Sequence, residues 1–268
     1  MSQTAMRWTS LGTATSLPLW STTTCVPAAT LNLNVQTNSN PQIQFDPISL
    51  LQNSKSVKIK QEIELLEALT GCETKNRYDI FCINGNQSIY LFRAKEKSGW
   101  CVRNFCSGSS RSFKMELQLP DQTNFAILDR PFKCTCFCLA RPEMTNQYSN
   151  GQKIGRVTEP FACCSPIFET YDEKDSSKFV LNIECCQRGF CCPKCYELTG
   201  KIYKHGNLDK EVGTFTKQVN CCQEMFTDAN TFIITFPADS TVEDKLNLIA
   251  TVLLVDYRYY EQSPGKAR

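Results

Sequence analysis

The residues in this 268-residue chain best placed to do chemistry are its 17 cysteines, and their spacing limits what they can do. Four pairs are sequence neighbours, at 163/164, 185/186, 191/192 and 221/222, and the total is odd. Adjacent cysteines do not ordinarily bridge to each other. The N-terminus, Met1-Ser-Gln-Thr-Ala-Met-Arg-Trp-Thr-Ser10, lacks the basic region and continuous apolar core of an export signal. Together these features predict a reducing compartment, with the thiols serving acylation, metal binding or burial. Cys192-Pro-Lys-Cys195 offers two thiolates at a bite suited to tetrahedral zinc, and Cys185 or Cys186 would add further donors. No second CxxC stands at ribbon spacing, so reduced or acylated thiols are preferred over structural zinc.

Other chemistries are excluded more directly. His205 is the only histidine, which removes His-dependent triads and His-rich metal sites. No Ser, Asp or Cys constellation indicates hydrolysis and no glycine-rich phosphate loop is present, so the chain does not read as an enzyme. Net charge is +2, which gives no global field towards nucleic acid or anionic lipid; such binding would have to be local. Asn86-Gln-Ser88 matches a glycosylation acceptor, but without an export signal it is expected to be unmodified.

The element that must organise these residues lies between Glu243 and Tyr260. Leu246-Asn-Leu-Ile-Ala-Thr-Val-Leu-Leu-Val255 is apolar except for Asn247 and Thr251, which lie four apart on one stripe of a helix. Such a helix must be surrounded. Spanning a bilayer takes about 20 apolar residues, and this run is closed by Asp244 and Lys245 on one side and Asp256 and Arg258 on the other. The spacing predicts a helix over about 242–260 sheathed by protein, with a membrane span as the alternative.

Upstream, the pattern is β. Residues 1–44 are rich in Ser, Thr and Asn and are expected to be disordered, with Trp8 and Trp20 in a loose tail. Phe45-Asp-Pro47 opens a domain running to 261, followed by a tail at 262–268. Lys55–Leu69 fits a strand better than a helix face. Tyr78–Ile83 and Gln87–Phe92 flank an Asn84-Gly85 turn. Phe113, Met115, Leu117 and Leu119 alternate with polar residues, and Phe125–Leu128 returns after Pro120-Asp121. Further runs at 154–157, 167–171, 179–183, 196–198 and 231–236 extend the series. Successive hairpins with wet outer faces and one apolar helix left over predict a closed antiparallel barrel, of about twelve strands, enclosing that helix.

Several motifs carry a resemblance. Glu64-Leu-Leu-Glu-Ala-Leu-Thr-Gly-Cys-Glu-Thr-Lys-Asn-Arg-Tyr78, Asp129-Arg-Pro-Phe-Lys-Cys134, Gly200-Lys-Ile-Tyr-Lys-His205 and Phe226-Thr-Asp-Ala-Asn-Thr-Phe232 leading to Phe236-Pro237 are similar to the phospholipid scramblases. Order and spacing agree from about Phe45 to Glu261. The resemblance implies a tubby-like barrel around a central C-terminal helix. It also implies lipid-anchored, ATP-independent and calcium-stimulated movement of phospholipids between leaflets, with nuclear and interaction roles besides. In place of the family's proline-rich tail with its PxxP and PPxY ligands stands the Ser/Thr/Asn-rich segment.

By the same resemblance, Cys134, Cys136 and Cys138 occupy the palmitoylation cluster, beside Lys133 and Arg141, which would face anionic headgroups. Residues 228–239 occupy the proposed calcium loop. Asp228, Asn230 and Asp239 stand at positions 1, 3 and 12, and Phe232, Ile234 and Phe236 offer backbone carbonyls alone. Ile233 replaces the glycine that an EF-hand turn needs, and Thr231–Phe236 is itself a good strand. Gly200, Lys201, Ile202, Lys204 and His205 match the nuclear import segment, with Gly206 where a tryptophan is expected. The implied setting is the cytosolic face of a membrane, through a lipid anchor, and the nucleus. The alternative is an acylated, membrane-tethered or nuclear scaffold that moves no lipid.

Overall fold

The computed structural model describes residues 46–62, 75–97, 112–133, 141–191, 196–219 and 230–260. The chain from Gln44 onward is one compact unit; Met1–Ile43 is a second unit, outside the described residues. The C-terminal tail 262–268, Trp8 and Trp20 also lie outside them.

The chain enters through α1 (Pro47–Asn53). The Asp46 carboxylate accepts from the amides of Ile48 and Ser49, and Pro47 stands where its missing N–H costs nothing. Then come β1 (Ser56–Glu62), β2 (Arg77–Asn84), β3 (Gln87–Lys97), β4 (Phe113–Gln118), β5 (Asn124–Arg130) and β6 (Glu143–Tyr148). The second half of the wall is β7 (Lys153–Thr158), β8 (Ile167–Tyr171), β9 (Ser177–Asn182), β10 (Leu198–Lys204), β11 (Asn207–Gln218) and β12 (Thr231–Thr235), with a short α2 (Arg188–Cys191) ahead of β10. Each strand pairs antiparallel with its sequence neighbour, and β12 pairs with β1, so the barrel closes without a free edge.

Alternation sends Val57, Ile59, Ile80, Met115, Leu117, Leu128 and their counterparts inward, where α3 (Val242–Val255) fills the space. Every α3 residue from Asp244 to Val255 is buried, and a five-residue π-helical turn (Asp256–Tyr260) continues it. The helix is sheathed by protein, as its pattern predicts. At about 1.5 Å per residue, its 14 residues reach about 21 Å, short of a hydrocarbon core of about 30 Å. Among the described residues no helix is long and apolar enough to cross a membrane.

Some details depart from the sequence reading. Asn84 pairs with Gln87, so the tight turn is Gly85-Asn86, with Gly85 at φ 59° in its first position, rather than Asn84-Gly85. β10 begins at Leu198, not Tyr196. β6 and β11, absent from the expected series, complete the twelve strands. The ions expected to cap the apolar run from outside, Asp244, Lys245 and Asp256, are themselves buried.

Candidate functional site

The two rims of the barrel differ. Five hairpin turns at one rim, 85–86, 119–123, 149–152, 172–176 and 205–206, are short. The six connections at the opposite rim, 63–76, 98–112, 131–142, 159–166, 183–197 and 219–230, are all longer. An up-and-down barrel puts alternate connections on the same rim, and these six carry all the cysteines except Cys25 and Cys82. Four of the large apolar side chains exposed among the described residues, Phe132, Phe161, Tyr196 and Tyr259, belong to this rim, whereas Leu208 belongs to the other. Hydropathy alone does not reveal that these connections leave from one rim; strand order does.

The helix is held at three levels. At the short-turn rim, Thr241 and Asp244 form a reciprocal capping box, and Tyr148 donates to Glu243 at 2.8 Å. The Lys245 ammonium donates to the carbonyls of Leu51, Gln52 and Ser54 at 3.1, 2.6 and 2.8 Å. It thereby satisfies carbonyls at the C-terminus of α1, where a cation is also favoured by the helix dipole, and burial lowers its pKa. Lys245→Met is expected to cost about 2 kcal/mol, because these acceptors lose their donor. Amide exchange should quicken first over residues 46–55; unchanged exchange there would show that α1 does not depend on the ammonium.

Midway, Asn146 Nδ2 donates to Asn247 Oδ1 at 2.7 Å, and Asn247 Nδ2 donates to the Tyr171 carbonyl at 3.2 Å. Both asparagines are buried, and Gly155, opposite Asn146 in the ladder, provides the space. At the cysteine-bearing rim, Asp256 accepts from the Tyr78 hydroxyl and, at 2.8 Å, from Asn230 Nδ2. Burial pushes the Asp256 pKa up to about 6, although these hydrogen bonds and the Lys217 charge pull it down. Tyr257 donates to buried Glu96 at 2.8 Å. Glu159 receives Arg141, Arg258 and Tyr259 at 2.9, 3.0 and 2.6 Å, tying the π-helical turn to the end of β7. Of these latch residues the sequence reading gives a role only to Asn230, as a cation ligand, and to Arg141, which it turns to headgroups where the fold pairs it with Glu159; buried polar side chains on an apolar run are the signal that points to the others.

The sequence-predicted sites fall as follows. Cys134, Cys136 and Cys138 lie outside the described residues, as do Asp228, Cys192 and Cys195. Cys185 and Cys186 are exposed, their sulfurs 3.8 Å apart, and among the described residues no group of three His, Cys, Asp or Glu could hold a metal. Phe232 and Ile234 sit in β12, buried and paired between β1 and β11, and Phe236 is buried just beyond. Asn230 and Asp239 stand at opposite ends of that strand; the seven residues of 230–236 alone span about 20 Å. Asn230 donates to Asp256, and the Asp239 carboxylate pairs with Lys204. The closed barrel therefore does not draw these groups into one coordination sphere. Gly200, Lys201, Ile202 and Lys204 form β10, with Gly200 and Ile202 facing inward and His205 in the following turn. Lys201 pairs with Glu184.

A family model described as Scramblase matches residues 35–262. Phospholipid scramblase 1 of Mus musculus is 33% identical over 83% of this chain and 66% of its own length. Phospholipid scramblase 2 of Bos taurus is 32% identical over 84% and 75%, and phospholipid scramblase 4 of Homo sapiens 28% over 90% and 69%. The chain thus spans about two thirds to three quarters of the length of these relatives. No solved structure matches it.

Proposed function

The chain belongs to the Scramblase family, and from that premise we propose that it moves phospholipids between membrane leaflets without making or breaking bonds. The family match over residues 35–262 is the observation that carries this reading. The barrel offers no route of its own, because α3 fills its interior. Moving α3 into water would expose seven large aliphatic side chains at about 1.5–3 kcal/mol each, and moving it into lipid would bring Asp244, Lys245 and Asp256 along at about 2.5–3.5 kcal/mol each at the bilayer centre. The barrel therefore works from one membrane face, with its cysteine-bearing rim against the lipid and headgroup crossing eased at that contact. We extend the proposal to thioester anchoring by palmitate at Cys134, Cys136 and Cys138, on the cytosolic face.

A second reading, a membrane-tethered or nuclear scaffold that moves no lipid, is favoured by the same three-level latch. Calcium enters the first reading through an opened state: binding at Asp228, Asn230 and Asp239 would require β12 to leave the ladder. Purified full chain reconstituted into vesicles with dye-labelled phospholipid separates these readings. Expected is loss of the inner-leaflet protection of the dye from a membrane-impermeant quencher, without ATP, with calcium and calcium-free arms compared. Protection unchanged from protein-free vesicles in both arms would leave the scaffold standing.

A further inference from the structure

The connection between β7 and β8, Glu159-Pro-Phe-Ala-Cys-Cys-Ser-Pro166, is tied down at both ends and bare at its tip. At its base the Glu159 amide donates to the Pro142 carbonyl at 3.0 Å, and Arg141 Nε donates to the Glu159 carbonyl at 3.0 Å. At the other end the Ile183 amide donates to the Pro166 carbonyl at 3.0 Å. The tip then presents Phe161, 54% exposed, with Cys163 and Cys164, both exposed and free. A large aromatic held out beside two free thiols gains nothing from water. Phe132 and Tyr259 are exposed on the same rim.

We propose that Cys163 and Cys164 are a second S-acylation site, whose thioester-linked chains enter a phospholipid surface together with Phe161. This rests on the reading of the chain as a protein that works at phospholipid membranes. A single acyl chain gives marginal, reversible attachment, and stable anchoring takes two signals, so a second acylated connection on one rim fixes the barrel's orientation as well as its residence. In the reaction a cysteine thiolate attacks the carbonyl carbon of a long-chain acyl-coenzyme A. The carbon–sulfur bond to coenzyme A breaks as the new one to Sγ forms, and the cysteine's proton ends on the released coenzyme A thiol. No electron donor or acceptor is needed.

The test uses the full chain expressed in cultured cells and recovered from the membrane fraction, with thioester-linked sites counted by hydroxylamine-dependent coupling of a polyethylene glycol maleimide. In a chain carrying Cys134→Ser, Cys136→Ser and Cys138→Ser, at least one tag should remain. Adding Cys163→Ser and Cys164→Ser should abolish it and reduce the membrane-bound fraction at least tenfold. No tag in the first chain, or a tag that survives in the second, overturns the site. Both substitutions are at exposed positions and should leave the melting temperature unchanged. Lipid transfer by unacylated protein in vesicles separates the two ideas: transfer without tags retires the acylation site alone, and tags without transfer retire the transport reading alone.

Discussion

Replacing Gly155 with alanine is expected to remove about 4 kcal/mol of folding stability and lower the melting temperature by about 10 °C or more. A Cβ at this position would lie 2.2 Å from the Tyr171 carbonyl oxygen and 2.4 Å from Asn247 Nδ2. The first contact is with backbone, which cannot swing aside, so either β8 or α3 has to move. Movement of α3 also breaks the bonds from Asn146 to Asn247 and from Asn247 to Tyr171, leaving buried amides without partners. Adding Asn247→Ala relieves the side-chain contact alone and should recover little. A denaturant midpoint for Gly155→Ala within about 1 kcal/mol of the parent would show that α3 does not approach β7 this closely.

The second large effect is a pH dependence set by Asp256. Its pKa stands at about 6 in the folded chain against an ordinary value of 3.8, so the folded state holds this proton more tightly than the unfolded state does. The contribution is complete below about pH 4 and is lost as pH rises through about 6. It amounts to about 3 kcal/mol at 1.36 kcal/mol per unit. The groups around it are Tyr78 and Asn230, which donate to it, Lys217, whose charge reaches it, and Tyr260, whose own pKa it helps to raise. Asp256→Asn keeps an acceptor for Tyr78 and ends the titration. Exposed Asp46, Asp121, Asp175 and Asp239 have lowered pKa values and act in the opposite sense at lower pH, but they are common to both chains. Urea midpoints from pH 4.5 to 8 should therefore fall for the parent relative to Asp256→Asn. Parallel curves would refute a buried, proton-holding Asp256.

The barrel and its plug are legible because their signals are one-sided. Leu246–Val255 is apolar nearly all round, and Phe113, Met115 and Leu117 alternate without a break. β6 and β11 are harder because polar residues or glycine interrupt their inward faces. β6 turns Asn146 inward to meet Asn247, and β11 turns Gly213, Phe215 and Lys217 inward. At Gly213 the space is taken by the Thr235 carbonyl, which a Cβ would approach to 2.4 Å. Each such position is decided by a partner far away in sequence, which no local pattern records. The same holds for the candidate site. Asn230 reads as a cation ligand beside Asp228, whereas the folded chain uses its amide to hold Asp256. Lys245 reads as the charge that ends a helix, because α1 and its carbonyls lie some 190 residues earlier, with 191 residues separating Lys245 from Ser54.

The part that fills this barrel is made after every strand of its wall. A ribosome releasing this chain has delivered eleven strands before β12 can seal against β1, and all twelve before residue 242 appears. Until then the nascent wall has an apolar lining with nothing to pack on it. Closure of the barrel around its plug is therefore a late step in folding, and the half-built sheet needs shielding until α3 arrives.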